Sequence, residues 1–501
     1  MRLDELYSRI KDLRSCDKKP IDLVVLDSNP PDIGLLRYDN RKISTGTNDV
    51  IFACVKGERV DGCQFAEEAV RSGAVALLCS SRLPFDVPQI LSDDVRSDMS
   101  LAESILMGRP SEKLKMIGVT GTNGKTTTAY ITRSIMRASG LKTGMIGTIV
   151  YDDARSEIWA DRTTPEGPDI QDMLANMVNN GAECCVMEAS SHGLDQGRLA
   201  GIKFDGVGFS NLTPEHLEYH RDMDGYFTAK RRLFTHHVNP DWAGAANEDD
   251  EYGRLLLSEF QGRLRPFSTS QETASKSGCY LASDLDVTAL GMSFKITYPD
   301  GGSHRIASPL IGSYNASNIL EAVAIADSLG TPRGAIHLGV SNCPQIPGRL
   351  ERYSLGNGVR VFVDYAHSSD GMEKVLSTLS PLTDGNLTVL WGAGGDRTPV
   401  KRPIVGGIMA KYADYAIITT DNPRSESPED IARDVEQGVI TSGVGIRYDI
   451  VLDRKEAIYR ALDNAREGDT VVVAGKGPER WIDYGTRVAP FSDSETVLDW
   501  T

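Results

Sequence analysis

The sequence predicts an α/β protein of three domains, the second and third built on mostly parallel sheets. Three observations lead there. The chain has 501 residues, too many for one hydrophobic core when a domain holds roughly 100–200. Short apolar runs alternate with segments of helical periodicity along its length, the pattern of strands joined by crossover helices. Polar or Gly-rich segments directly follow several of these runs, as they do where ligands gather at the carboxyl ends of parallel strands.

The first domain is expected over residues 1–112. MRLDELYSRIKDLRS is amphipathic and charged throughout, which suits a helix and not a signal peptide. VIFACVKG reads as a strand, FAEEAVRSG as a helix closed by Gly73, and AVALLCS as the next strand, together a small α/β unit. The second domain is expected over 113–346 and opens on KMIGVTGTNGKTTT. Met116, Ile117 and Val119 make a buried strand. Gly121 and Gly124 let backbone N–H groups face an anion, and the following helix adds its positive end. Lys125 is placed to reach β/γ-phosphates and Thr126 to offer a hydroxyl to Mg²⁺. The usual phosphate-loop spacing asks for Gly where Val119 stands, and Gly118 is one place early, which argues against the ordinary GTPase and motor classes. CCVMEASS and GVGFSNL continue the strands, and NILEAVAIADSLG is a helix with Gly330 beyond its end. Residues 280–307 alternate around a Pro-Asp-Gly-Gly turn and predict an antiparallel hairpin. A Pro/Gly-bearing linker at 342–348 leads to the third domain, 347–501, with the runs VRVFVDYA, LTVLWGAGG, YAIITTDNPR and TVVVAGKG. Four apolar runs separated by helical segments predict a second, doubly wound parallel sheet.

Composition narrows the function classes. A net charge of −16 disfavours nucleic acid, because the one basic cluster, Lys230-Arg231-Arg232, is only a few residues long and lies in an amphipathic helix. Eight cysteines occur without a C-x-x-C pair, so reduced thiols are expected, with no disulfide frame or zinc site. No apolar run is long enough to cross a membrane; no membrane insertion is expected, and the cytoplasm is the expected compartment.

Four groups of residues carry chemistry. The phosphate loop is the first. Glu188, at a strand end in VMEASSHGLDQGR, suits a Mg²⁺ held directly or through water; capping the following helix is its other reading. Ser190, Ser191 and His192 lack the Gly-x-Ser-x-Gly context of a hydrolase elbow. In NLTPEHLEYHRDMDGYFTAKRRLF, His216 and His220 stand at i, i+4 without a third zinc ligand and read, alone, as solvated; Lys230 reads, alone, as a surface lysine. The fourth group sits at the ends of four predicted strands in the last domain: Asp364 to His367, Gly394 to Arg397, Asp421 to Arg424, and Gly475 to Glu479. Its Arg, Asp, Asn and Glu side chains suit a zwitterionic substrate.

From about residue 39 to the end, the motifs TGTNGKTT, RTTP, MEASSHGLDQGR, NLTPEHLEYH, the Ala229-Lys230 pair, GSYNASN, GRLE, DYAH, GGDR, DNPR and GKGPE together resemble the Mur ligases of peptidoglycan synthesis, in particular those that add a diamino acid to UDP-N-acetylmuramoyl-L-alanyl-D-glutamate. The resemblance implies an N-terminal domain for the UDP moiety, a central ATPase domain and a C-terminal Rossmann-like domain. It implies ATP and Mg²⁺ as cofactors, meso-diaminopimelate as the added amino acid, and a monomer; L-lysine or another diamino acid, or a folylpolyglutamate synthase-like ligation, are the alternatives. It reverses the reading of Lys230, whose counterpart is carbamylated to N6-carboxylysine and joins Thr126, Glu188 and His216 around magnesium. Gly121, Thr122, Asn123, Gly124, Lys125, Thr126 and Thr127 would hold ATP phosphates. Asn315 and Asn318 would lie near the adenine, and Arg349, Asp364 and His367 would reach the nucleotide from the C-terminal side. Asn40, Thr163, Thr164, Ser190, Gln196 and Arg198 would hold the UDP-muramoyl peptide. Arg397, Asp421, Asn422, Arg424, Gly475 and Glu479 would hold the diamino acid. Two departures stand out: Asp39-Asn40-Arg41 replaces the usual Asp-Ser-Arg, and Pro478 replaces His in Gly-Lys-Gly-His-Glu, removing a backbone donor beside Glu479.

Overall fold

The structure is a computed structural model that describes residues 1–14, 20–24, 29–44, 46–57, 60–274 and 278–500. It divides into two compact units: Met1–Leu281 with Tyr298–Gly301 and Asn318–Gly339, and Ala282–Thr297 with Gly302–Ser317 and Val340–Thr501.

The first unit holds two sheets. The N-terminal one has five strands in the order Asp22–Val24, Gln89–Leu91, Ala74–Cys79, Val50–Ala53, Leu35–Arg37. The helix Leu3–Leu13 buries Leu3, Leu6 and Ile10, the i, i+3, i+7 stripe that its sequence spells. The helix Ala66–Ser72 ends where Gly73 turns to φ 119°, as expected. In the second sheet, Lys115–Thr120 lies between Cys184–Glu188 and Phe204–Phe209, parallel to both. Thr143–Ile146 continues the parallel order on one side, Val238–Asn247 and Leu264–Ser268 on the other. Cys184–Glu188 is buried at every position, which is why it reads as a continuous apolar run and not an alternating one. The strands Val150–Asp152 and Glu157–Trp159 finish the edge in antiparallel sense.

The expected hairpin at 280–307 is three strands, Tyr280–Thr288, Gly291–Thr297 and Ser303–Ser308. The last two pair antiparallel around the predicted turn, while Tyr280 and Leu281 pair in parallel with Phe267 and Ser268. The alternation in the sequence reports half-buried strands but not their number.

The second unit carries a six-stranded sheet in the order Glu351–Ser354, Arg360–Asp364, Thr470–Ala474, Leu387–Trp391, Tyr415–Ile418, Arg447–Ile450. The four expected strands form its parallel centre. The two edge strands, ERYS and RYDI, are polar and half exposed, so no apolar run announces them. Thr470–Ala474, the latest of these strands in the chain, inserts between Arg360–Asp364 and Leu387–Trp391, so the chain order reverses there. Such a switch point opens a crevice at the carboxyl ends.

Candidate functional site

The phosphate loop forms as the residues predict. The strand ends at Thr120, and Gly121 (φ 147°) and Gly124 (φ 92°) take conformations closed to ordinary side chains. A side chain at Gly121 would also strike the Ser210 hydroxyl, and one at Gly124 the Asn318 amide. The helix Lys125–Ala138 starts at once, with Thr126 and Thr127 buried in its first turn. The Thr122 N–H donates to the Asn211 carbonyl (2.8 Å) and the Asn123 N–H to Asn211 Oδ1 (3.0 Å), which pins the loop against the next strand end.

Glu188 is fully buried at the end of its strand. Its Oε2 accepts from the Thr126 hydroxyl (2.9 Å) and the Thr148 hydroxyl (3.0 Å), and its Oε1 from the Thr148 N–H (2.8 Å). Its alternative role as a helix cap is taken by Ser190, whose Oγ accepts from the Gly193 N–H (3.1 Å). A buried carboxylate touching the first hydroxyl of a phosphate-loop helix fits a magnesium ion bound to nucleotide phosphates.

Lys230 overturns its residue-only reading as a surface lysine. It is 1% exposed on the helix Met223–Thr235, and its Nζ donates to the Gly121 carbonyl at 2.6 Å. Lys125 Nζ donates to the same carbonyl at 2.9 Å and to that of Thr122 at 2.9 Å. Burial, and then the neighbouring Lys125, push the Lys230 ammonium well below the ordinary lysine range. Of the pair that reads, alone, as solvated, His220 is 8% exposed, whereas the His216 side chain keeps 41% of its surface exposed. The His192 ring packs 4.9 Å from His216 and 5.4 Å from His220, and Tyr226 stands 5.1 Å from His220. Burial and the neighbouring imidazoles pull His192 down to about 4; burial also lowers His216 and His220. Among the described residues, no group of three or more His, Cys, Asp or Glu side chains converges to hold a metal.

Among the residues expected to hold the muramoyl peptide, Thr164 Oγ1 donates to the Glu188 carbonyl (2.9 Å) and accepts from the Ser190 N–H (3.0 Å). Thr163 lies 3.0 Å from the Thr148 hydroxyl. Arg198 donates to Thr164 O (2.8 Å) and to Gln196 Oε1 (2.6 Å). Glu166 is a centre that the sequence did not single out: Arg96, Arg162 and Arg198 reach its carboxylate at 2.5, 3.4 and 3.4 Å. Asn40 donates to Glu68 (2.7 Å), beside an Asp39–Arg41 pair at 2.8 Å.

Glu321 was also missed, because it hides in an apolar helix. It is fully buried; Thr128 donates to its Oε2 at 2.9 Å, while Oε1 has no partner. Burial raises its carboxyl to about 8. Asn318, one turn earlier on the helix Tyr314–Ser328, is buried beside Gly124.

In the second unit, Asn315 is buried and donates to the Ile311 carbonyl (2.7 Å). Asp364 accepts from the N–H groups of Leu350 (2.7 Å) and Ala366 (2.8 Å), and burial raises its carboxyl. Arg349 lies over the Tyr365 ring at 5.1 Å, and His367 is exposed with Nδ1 2.9 Å from the Tyr365 carbonyl. Pro478 lies against Gly348, where any side chain would meet the proline ring.

The strand ends bring Asp421, Asn422, Gly475 and Glu479 together, as predicted, around an unassigned residue. Lys476 is fully buried, with Nζ 2.8 Å from Glu479 Oε2, 3.2 Å from Asn422 Oδ1 and 3.4 Å from Asp421 Oδ1. Asn422 Nδ2 donates to Glu479 Oε2 (2.8 Å). Gly475 (φ 109°) leaves no room for a side chain beside Asp421. Arg424 donates to the Gly395 carbonyl (2.5 Å) and lies 3.8 Å from Asp483; Arg397 is exposed in the neighbouring loop.

These arrangements have counterparts among known proteins. Residues 32–105 match the model of the Mur ligase family, catalytic domain; 119–326 match the Mur ligase middle domain; and 348–477 match the Mur ligase, glutamate ligase domain. The chain is 39% identical over 469 residues to the UDP-N-acetylmuramoyl-L-alanyl-D-glutamate–2,6-diaminopimelate ligase of Geobacillus kaustophilus, covering 92% of this chain and 94% of that one. A solved structure of an enzyme of that name superposes with a TM-score of 0.66 at 30% identity, over 98% of this chain and 97% of the other. Mycobacterium tuberculosis folylpolyglutamate synthase, solved with ADP and AMPPCP, shares the fold at 18% identity and a TM-score of 0.59, over 75% of this chain and 91% of that one. With three family models spread along the chain and near-full-length relatives at this identity, the phosphate loop, the buried Lys230 and the acidic strand ends have one reading: the chain belongs to the Mur ligase family.

Proposed function

We propose that this protein is an ATP-dependent amide ligase that joins meso-diaminopimelate to UDP-N-acetylmuramoyl-L-alanyl-D-glutamate, with domains at 1–112, 113–346 and 347–501. The observation that carries the reading is the convergence of Lys125 and Lys230 on the Gly121 carbonyl, next to the Thr126–Glu188 pair. Two ammonium groups on one carbonyl repel each other. A neutral Lys230 amine can instead add CO₂, its nitrogen bonding the carbon as a proton leaves, and become an anionic carbamate.

When bound, Mg²⁺ would neutralise charge on the transferring phosphoryl group, and Thr126, Glu188, His216 and carbamylated Lys230 are the residues that would hold it. The Gly121–Gly124 loop presents N–H groups to the phosphates, and Lys125 is released from its two carbonyls to meet them. The γ-carboxylate of the D-glutamyl residue attacks the γ-phosphorus, ADP leaves, and an acyl phosphate forms. The amine of the diamino acid then adds to the acyl carbon, phosphate departs, and an amide remains. The protein contributes mainly position and charge neutralisation. Thr163, Thr164, Ser190, Gln196 and Arg198 would orient the muramoyl peptide. Asp421, Asn422, Arg424, Gly475, Glu479 and Arg397 would orient the diamino acid, and Arg349, Asp364, His367, Asn315 and Asn318 the nucleotide.

A five-stranded domain ahead of the phosphate loop supports a UDP substrate over the folylpolyglutamate alternative. The test is phosphate release coupled to product mass. Release that requires both the UDP-muramoyl dipeptide and meso-diaminopimelate, with formation of the tripeptide, is the expected result. Equal turnover with L-lysine would overturn the substrate assignment, and release without either acceptor would overturn the ligase.

A further inference from the structure

We propose that Lys476 is a positioning residue for the incoming amino acid, holding Glu479 so that its Oε1 alone faces the substrate ammonium; this rests on the function proposed above. An ammonium has three N–H donors, and Lys476 spends them on Glu479 Oε2, Asn422 Oδ1 and Asp421 Oδ1. It is fully buried, and an ammonium held at three points in a water-poor setting has little freedom. Asn422 completes the frame. Its Nδ2 donates to the same Glu479 Oε2, and its Oδ1 also accepts from the Asp483 N–H (2.9 Å). Glu479 Oε2 therefore takes two donors, while the carboxylate keeps one-fifth of its surface exposed.

The charges agree with this role. Lys476 faces two carboxylates, Asp421 and Glu479, so its single positive charge leaves acceptor capacity on the Glu479 carboxylate for a substrate ammonium. Two further buried cations near these strand ends make their hydrogen bonds elsewhere: Arg454 pairs with Asp493 at 2.7 Å and donates to the carbonyls of Thr420 and Ala474, and Arg402 pairs with Glu426 and Asp434 at 2.9 Å. Lys476 is thus the cation that sets the Glu479 orientation. Without it, Glu479 loses its one charged partner at 2.8 Å and is free to swing.

The test is a double-mutant cycle on steady-state kinetics of the full-length enzyme, with Lys476→Met, Glu479→Gln and the double variant. Lys476→Met is expected to raise KM for meso-diaminopimelate about tenfold or more, with KM for ATP and for the UDP-muramoyl dipeptide changed less than about twofold. In the Glu479→Gln background the same substitution should cost little further, because the two residues act as one unit. Additive effects, or equal losses for all three substrates, would overturn the proposal. If Lys476→Met does not fold, Lys476→Gln carries the same cycle; failure of both to fold also overturns it, since Lys476 would then be a folding determinant. A wild-type enzyme that makes no tripeptide refutes the proposed function itself, whereas an active wild type with an additive cycle refutes only this inference.

Discussion

Replacing Glu321 by Gln should flatten the pH dependence of stability. The native carboxyl, buried without a partner for Oε1, stays protonated up to about 8, whereas in the unfolded chain it ionises near 4.5. Between those values unfolding releases a proton, so stability falls as pH rises, by about 1.4 kcal/mol per pH unit. Below 4.5 both states are protonated and above 8 both are ionised, so the contribution is level on either side. From pH 5 to pH 8 the group therefore removes about 4 kcal/mol. For a folding unit of a few hundred residues that is a drop of roughly 8–16 °C in Tm. Gln keeps a carbonyl to accept from Thr128 and cannot ionise. Thermal melts of the ligand-free protein at half-unit steps from pH 5 to 8 should show the wild type losing most of that interval and Glu321→Gln losing little of it. Parallel Tm–pH curves would refute the burial argument. The readout also bears on function, because Thr128 ties Glu321 to the helix that opens at Lys125.

Three further outcomes are expected. Lys230→Ala should lose turnover by about hundredfold or more while nucleotide affinity, measured with a fluorescent ATP analogue, stays within a few fold, because one charge that organises the transition state is removed; activity that survives the substitution and ignores CO₂ removal would contradict the carbamate. Gly121→Ala forces a side chain into φ 147° against the Ser210 hydroxyl and should weaken ATP binding about fivefold to over a hundredfold, the equivalent of roughly 1–3 kcal/mol of strain; unchanged binding would show that the loop re-forms. Arg424→Ala should narrow the preference for meso-diaminopimelate over L-lysine by about tenfold or more, since the two differ by one carboxylate; an unchanged kcat/KM ratio would leave Arg424 as a brace for the Gly395 turn that it already contacts.

The local pieces follow from short stretches of residues alone. Strand–glycine–lysine–helix at 115–128, the helix stop at Gly73, and the apolar runs of the last sheet are set by neighbouring residues through backbone freedom and periodicity. So were the polar groups at four strand ends, because parallel strands place their carboxyl ends together. Tertiary structure decided what no short window contains. Lys230 looks like part of a basic surface run, yet 109 residues separate it from the Gly121 carbonyl it meets. Glu321 sits in an apolar helix that hides a carboxyl beneath Thr128. His220 reads as solvated until His192, from another segment, and Tyr226 pack against it. The strands ERYS and RYDI exist because a sheet edge offers them partners, not because their residues demand it. Lys476 stood in plain view within GKGPE, but its ammonium gains meaning only when Asp421 and Asn422 arrive from a different strand. Burial and charge pairing are properties of the folded neighbourhood, and they decide which of many similar lysines and carboxylates do chemistry.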